Sequence, residues 1–130
     1  VELAAFATQY AESMAQSTGM LVCITDRDQV IAVSGGPKRD MLQKMISRQL
    51  EQVIHEREAV VAEKDTREFI PVAGEEMDGV VAEVIVPIIC EGDIIGSVIL
   101  LENDGKSKMG EVEQKLAQSA AGFLGRQMEQ

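Results

Sequence analysis

Tryptophan is absent from this 130-residue chain, and one Tyr and three Phe hold the aromatics to 3%. Its core therefore has to be filled by Val, Ile, Leu, Ala and seven Met. Cysteine is as scarce: Cys23 and Cys90 stand alone, each inside an apolar run that reads as a strand, where a free thiol acts as a small buried hydrophobe. The single His55 excludes a multi-histidine metal site, and Glu56 and Glu58 beside it fall at a helix end, where solvation suits them better than ligation. No apolar run is long enough to cross a bilayer; the longest, residues 84–90, is interrupted by Pro87, and no signal peptide opens the chain. Basic residues are short as well. The net charge is −10, and between Arg67 and Lys106 there is no Lys or Arg but nine acidic residues. Such a surface repels a phosphate backbone, so this segment alone is not expected to bind nucleic acid or membrane. The expectation is a single cytoplasmic domain over residues 1–130 that needs no cofactor. A chain of this length buries roughly two-thirds of its unfolded surface without staples. Because it opens on Val1 rather than Met, an upstream part is expected to have been cut away.

What is present is strongest at residues 82–101, AEVIVPIICEGDIIGSVILL, two aliphatic arms joined by Glu91-Gly92-Asp93. This reads as a β-hairpin too apolar for a sheet edge, with Pro87 and Gly96 marking a bulge or a close approach. Upstream, Leu3, Phe6, Ala7, Tyr10, Ala11 and Met14 recur at helical spacing, and Gly19 stops that helix. Residues 20–25 and 30–33 read as strands around the turn Asp26-Arg27-Asp28. Pro37 and Asp40 then suit the first turn of a second helix, whose face is Leu42, Met45, Ile46, Leu50, Val53 and Ile54 and whose end falls near Arg57. A short strand at residues 59–62 leads into a polar excursion, residues 64–79, with one apolar knot at Phe69–Val72. After the hairpin, a polar loop at residues 103–108 precedes a last helix over about 110–128, with Glu111 and Glu113 in its first turn. The order is α-β-β-α-β, excursion, β-β-α.

The last helix carries two apolar stripes, one through Val112, Leu116, Ala120, Phe123 and Gln127, the other through Ala117, Ala121, Leu124 and Met128. One sheet face requires only one. Gly122 and Gly125, with the neighbouring alanines, are small enough for a second helix to approach closely. Either the first and last helices pair internally, or that pairing extends across a symmetric partner into a bundle. The expected interface is Leu3, Phe6, Tyr10, Met14, Leu116, Ala120, Phe123, Leu124 and Gln127, in a homodimer or homotetramer. No catalytic cluster stands out, and Glu75-Glu76 lacks a nucleophile or partner acid. Ser34-Gly35-Gly36, followed by Lys38, resembles an anion cradle at a helix start but lacks P-loop spacing, and a plain strand-to-helix turn explains it better.

MGEVEQKLAQSAAGFLGRQMEQ at residues 109–130, ITDRDQVIAVSGGPKRDML at 24–42 and ELAAFATQYAES near the start resemble the stage V sporulation protein T family. The similarity runs nearly end to end and is weak only at residues 59–79. It implies an α+β, GAF-like fold: a central, mainly antiparallel sheet flanked by N- and C-terminal helices that form an oligomerisation bundle. It also implies the C-terminal half of a sporulation transcription regulator whose DNA-binding domain, absent from this piece, is the only part that touches DNA. The expected function is regulation through assembly, with a pocket for a small anionic metabolite biasing the arrangement. The excursion would be the lid over a sheet face free of helix cover, and Ser34, Gly35, Gly36, Lys38, Phe69 and Ile70 would line the site. The alternatives are a purely structural oligomeriser whose pocket Phe69 and Ile70 plug, and, more remotely, a thiol-based GAF reductase. Both cysteines lie within strands, away from an activating helix N-terminus, so no enzyme is expected.

Overall fold

The computed structural model describes residues 3–36, 38–74, 79–103, 105 and 109–129, with the backbone alone of Lys38 and Arg39. The expected hairpin is present as β4 (Ala82–Cys90) and β5 (Asp93–Glu102). Its two-residue loop places Glu91 and Gly92 both at positive φ, the turn whose twist matches that of the strands it joins. With β1 (Leu21–Thr25), β2 (Val30–Ser34) and β3 (Val60–Glu63), these form an antiparallel sheet of order β2-β1-β5-β4-β3. β5 is the middle strand. Alternation then sorts the side chains: Val22, Ile24, Val84, Ile88, Val98 and Leu100 point to one face, and Leu21, Cys23, Val33, Ile85, Ile99 and Leu101 to the other. Each fully buried aliphatic stabilises the fold by about 2 kcal/mol, which is why a core without tryptophan suffices.

Gly96 is a close approach, as expected. A Cβ there would sit 1.9 Å from the Thr25 carbonyl oxygen and 3.1 Å from the Asp26 Cα. Missing that methyl, β5 lets the β1–β2 turn fold in against its first residues, and the Thr25 and Ser97 hydroxyls share a buried 2.7 Å hydrogen bond. The turn closes on itself through Asp26 Oδ1, which accepts from the amides of Asp28 and Gln29 at 2.8 Å.

The second helix departs from expectation. Instead of one helix to Arg57 there are two, α2 (Lys38–Met41) and α3 (Arg48–His55). Between them Gln43 takes φ 68°, and the backbone runs extended beside β2, exchanging hydrogen bonds between Val30 and residues 43 and 44 and bridging Gln29 to Met45 and Ile46 to Ala73. Edge pairing satisfies those amides without a helix, and it leaves Leu42 41% and Met45 75% exposed rather than on an apolar helix face. Ser47 restarts the helix: its Oγ accepts from the Leu50 amide at 3.0 Å and donates to the Pro71 carbonyl at 2.6 Å. α3 then buries Leu50 and Ile54 on the sheet, so the face expected to lie open beneath the excursion is covered by a helix as well. Pro37, the expected helix opener, lies outside the described residues, as do parts of the loop at 103–108.

α1 (Leu3–Thr18) and α4 (Glu111–Gln127) cover the opposite face. Glu113 Oε1 accepts from the Gly110 amide at 2.9 Å, satisfying a donor ahead of the first turn. A Cβ on Gly125 would lie 2.2 Å from the Ile89 carbonyl oxygen, so this glycine admits the chain's own β4 rather than a second helix, and Gly122 meets only the Arg126 side chain. Ala117, Ala120 and Ala121 are likewise buried against the chain's own core. α1 ends beside the start of β1 and α4 ends against the far end of β4, so the two helices run antiparallel, clasped by Tyr10 and Phe123 with ring centroids 5.1 Å apart.

Candidate functional site

The two halves of the expected ligand site lie on different strands. Ser34 closes β2 at one sheet edge. Gly35, at φ 87°, packs so tightly on the α1–β1 junction that a Cβ would fall 2.5 Å from the Met20 carbonyl oxygen, and one on Gly36 would fall 2.6 Å from Leu21 Cδ1. Both glycines thus have a packing reason to be there. The Lys38 side chain lies outside the described residues. Phe69 and Ile70 sit at the other side of the sheet, where the Ile70 amide donates to Glu83 Oε1 on β4 at 2.8 Å. The register Ser34–Val22–Leu100–Val84 puts the two groups at one level but three strands apart, roughly 14 Å at about 4.8 Å per strand. The fold does not bring the Ser34–Gly36 turn together with Phe69 and Ile70.

Between them the face is filled by the chain itself: Met41, Leu50, Ile54, Val72 and Val80 are buried there, with Phe69 and Ile70 packed at the margin. The excursion is fastened at several points. Besides the Glu83 bond, the Pro71 and Val72 carbonyls accept from the Ser47 hydroxyl and amide, and Ala73 bridges Ile46. Residues 75–78 lie outside the described residues. Glu83 is fully buried, and its second oxygen, Oε2, has no hydrogen-bond partner among the described residues. Burial pushes its carboxyl up to about 7, against a smaller downward pull from the Ile70 amide.

Thiol chemistry finds little support in the geometry. Cys23 is fully buried in β1, and burial pushes its thiol up to about 12. Cys90 ends β4, its thiol raised by desolvation first and then by Glu91, Glu129 and Asp93. Cys23 aligns with Ile99 and Ile85, five residues along β4 from Cys90, so the two sulfurs are separated by roughly 16 Å of strand. They are too far apart for a disulfide.

The helical face is the larger apolar feature. Val112 is 66% exposed, Leu116 42% and Phe123 41%. At 100° per residue the three lie within about 40° of one another on α4, turned away from the sheet. Leu3, Phe6 and Tyr10 of α1 lie half-buried, and Gln127 is exposed. Met14, Ala120 and Leu124, expected at an interface, are instead buried in the chain's own core, where α1 and α4 pack on the sheet. Among the described residues no helix is long and apolar enough to cross a membrane.

Residues 2–129 match the family described as stage V sporulation protein T C-terminal, transcription factor. Stage V sporulation protein T of Bacillus subtilis (strain 168) is 44% identical over 129 residues, covering 99% of this chain and 70% of that protein. Among solved structures, the GAF domain of an Acinetobacter phosphoenolpyruvate-protein phosphotransferase superposes with a TM-score of 0.75 at 14% identity, covering 97% of this chain and 81% of that one. A type II free methionine-R-sulfoxide reductase from Thermoplasma acidophilum superposes with a TM-score of 0.69 at 14% identity, covering 96% and 94%. At those identities the structural likeness establishes the fold, an antiparallel five-stranded GAF-type sheet with flanking helices, and nothing further.

Proposed function

The chain belongs to the stage V sporulation protein T C-terminal transcription-factor family, and from that membership we propose that it is a non-enzymatic regulatory domain whose physical work is self-association. One observation carries this reading: the Val112, Leu116 and Phe123 stripe, apolar and solvent-exposed on a chain of net charge −10. Exposed apolar side chains aligned on one helix face mark a surface that a partner covers. A second copy, packed on the same stripe, is the partner that needs no further component. DNA contact then belongs to another part of the longer regulator, and association of these domains sets how the DNA-binding parts are spaced.

The sheet-face pocket reads best as self-filled. Fastening of residues 70–73 by Ser47, Ile46 and Glu83 supports a structural cover over the core rather than a lid. Two substitutions test the assembly reading. Leu116→Glu and Phe123→Glu each place a charge in the proposed contact and leave the buried stripe alone, so both are expected to lower the oligomer order while the chain stays folded. Val61→Glu, on the far edge strand, is the control and leaves assembly unchanged. Association that survives both α4 substitutions removes the stripe as the contact.

A further inference from the structure

Away from the helical stripe and the filled sheet face, an open groove of about 1350 Å³ lies at the end of the sheet opposite Ser34. Three separate segments wall it: the β1–β2 turn, α3 with Arg57 two residues past its end, and the start of β5. Each of the first two segments brings arginine, Arg27 from the turn and Arg48 and Arg57 from either end of α3. None of the three guanidinium groups forms an ion pair with a carboxylate among the described residues. All three are exposed, and Asp28, Glu51, Asp93 and His55 line the same groove. Ile94 and Ile95 add apolar wall.

Arg57 holds φ 61° just past the end of α3, a conformation that suits glycine, so glycine can replace it there without backbone strain.

We infer that this groove binds a phosphate monoester of a small hydroxyl-bearing molecule, with Arg27, Arg48 and Arg57 taking the phosphoryl group and Asp28, Glu51 and Asp93 accepting from its hydroxyls. Guanidinium groups match phosphate oxygens in bidentate fashion, and ionised carboxylates can only accept, so they select hydroxyl donors. Three arginines, with three carboxylates and His55 on the same walls, discriminate against a bare anion, which meets repulsion as well as attraction. The groove exceeds the roughly 300 Å³ at which small-molecule sites begin, and Ile94 and Ile95 offer the carbon skeleton a surface. This assignment does not rest on self-association.

The test is titration of the full 130-residue chain with ribose 5-phosphate, inorganic phosphate and ribose, followed by calorimetry and by amide shifts. Saturable binding of ribose 5-phosphate is expected, with inorganic phosphate and ribose each at least about tenfold weaker. Arg48→Gln is expected to weaken ribose 5-phosphate by about tenfold, the loss of one charge-assisted contact. Arg57→Gly is expected to weaken it similarly while the melting temperature holds or rises, since glycine relieves the backbone; that pairing separates a binding loss from an unfolding one. The inference is overturned if ribose 5-phosphate does not saturate, if inorganic phosphate binds as tightly, or if neither arginine substitution changes the affinity.

Discussion

Raising the pH from 5 to 8 should weaken the fold through one side chain, Glu83. It is fully buried on β4, its Oε1 accepts from the Ile70 amide, and burial lifts its carboxyl from an ordinary 4.5 to about 7. Unfolded chains therefore release this proton near pH 4.5 and folded ones near 7. Below 4.5 both states hold it and the stabilisation is complete. Between the two values the unfolded state is favoured by up to about 1.4 kcal/mol per pH unit, and above 7 the loss is complete. Across pH 5 to 8 this amounts to about 2 to 3 kcal/mol, a large share of the 5–15 kcal/mol typical of a domain. Other carboxylates titrate too, so the measurement is a difference: urea unfolding of the native chain and of Glu83→Gln at pH 5, 6, 7 and 8, at one protein concentration. Glutamine keeps the acceptor for Ile70 and stays neutral, as the protonated acid does. The variant should lie within about 1 kcal/mol of the native chain at pH 5 and be about 2 kcal/mol more stable at pH 8. A difference that is flat with pH, or that runs the other way, refutes the reasoning.

Gly96→Ala puts a methyl 1.9 Å from a backbone carbonyl oxygen that cannot yield, and should cost at least about 3 kcal/mol, seen as a fall in melting temperature near 10 °C; a shift of under about 2 °C would contradict the close approach. Ser47→Ala removes both the α3 cap and the bond to the Pro71 carbonyl, and is expected to cost about 1 to 2 kcal/mol in denaturant unfolding, with faster amide exchange at Ile70 and Val72. Cys23, buried and with its thiol pushed up to about 12, should resist alkylation at pH 8 until the chain is unfolded. Rapid native labelling of that residue, read by peptide mass, would show the strand to be open.

The hairpin and both terminal helices could be read from the sequence because each rests on local signals: β-branched runs either side of Glu91-Gly92, and apolar residues at three- and four-residue spacing. The break between α2 and α3 could not be read from periodicity, because Leu42, Met45 and Ile46 continue the spacing of Leu50 and Ile54. What decides it is edge pairing with β2, a long-range effect. The one local sign was Ser47, a capping residue placed three before Leu50. The separation of Ser34 from Ile70 was hidden for a similar reason, since it depends on β5 and β4 lying between β1 and β3. The partner of Gly125 is not legible either, because a small residue announces a close neighbour without saying which; here it is the Ile89 carbonyl. The groove draws Arg27, Arg48, Arg57 and Asp93 from segments up to 66 positions apart, and nothing in the spacing announces their convergence.

Sedimentation equilibrium of the unmodified domain at micromolar concentration and moderate salt tests the central claim most directly. Covering Val112, Leu116 and Phe123 with a second copy predicts a mass of at least twice 14.1 kDa, largely insensitive to salt because the contact is apolar. A single species at 14.1 kDa across that range would contradict it.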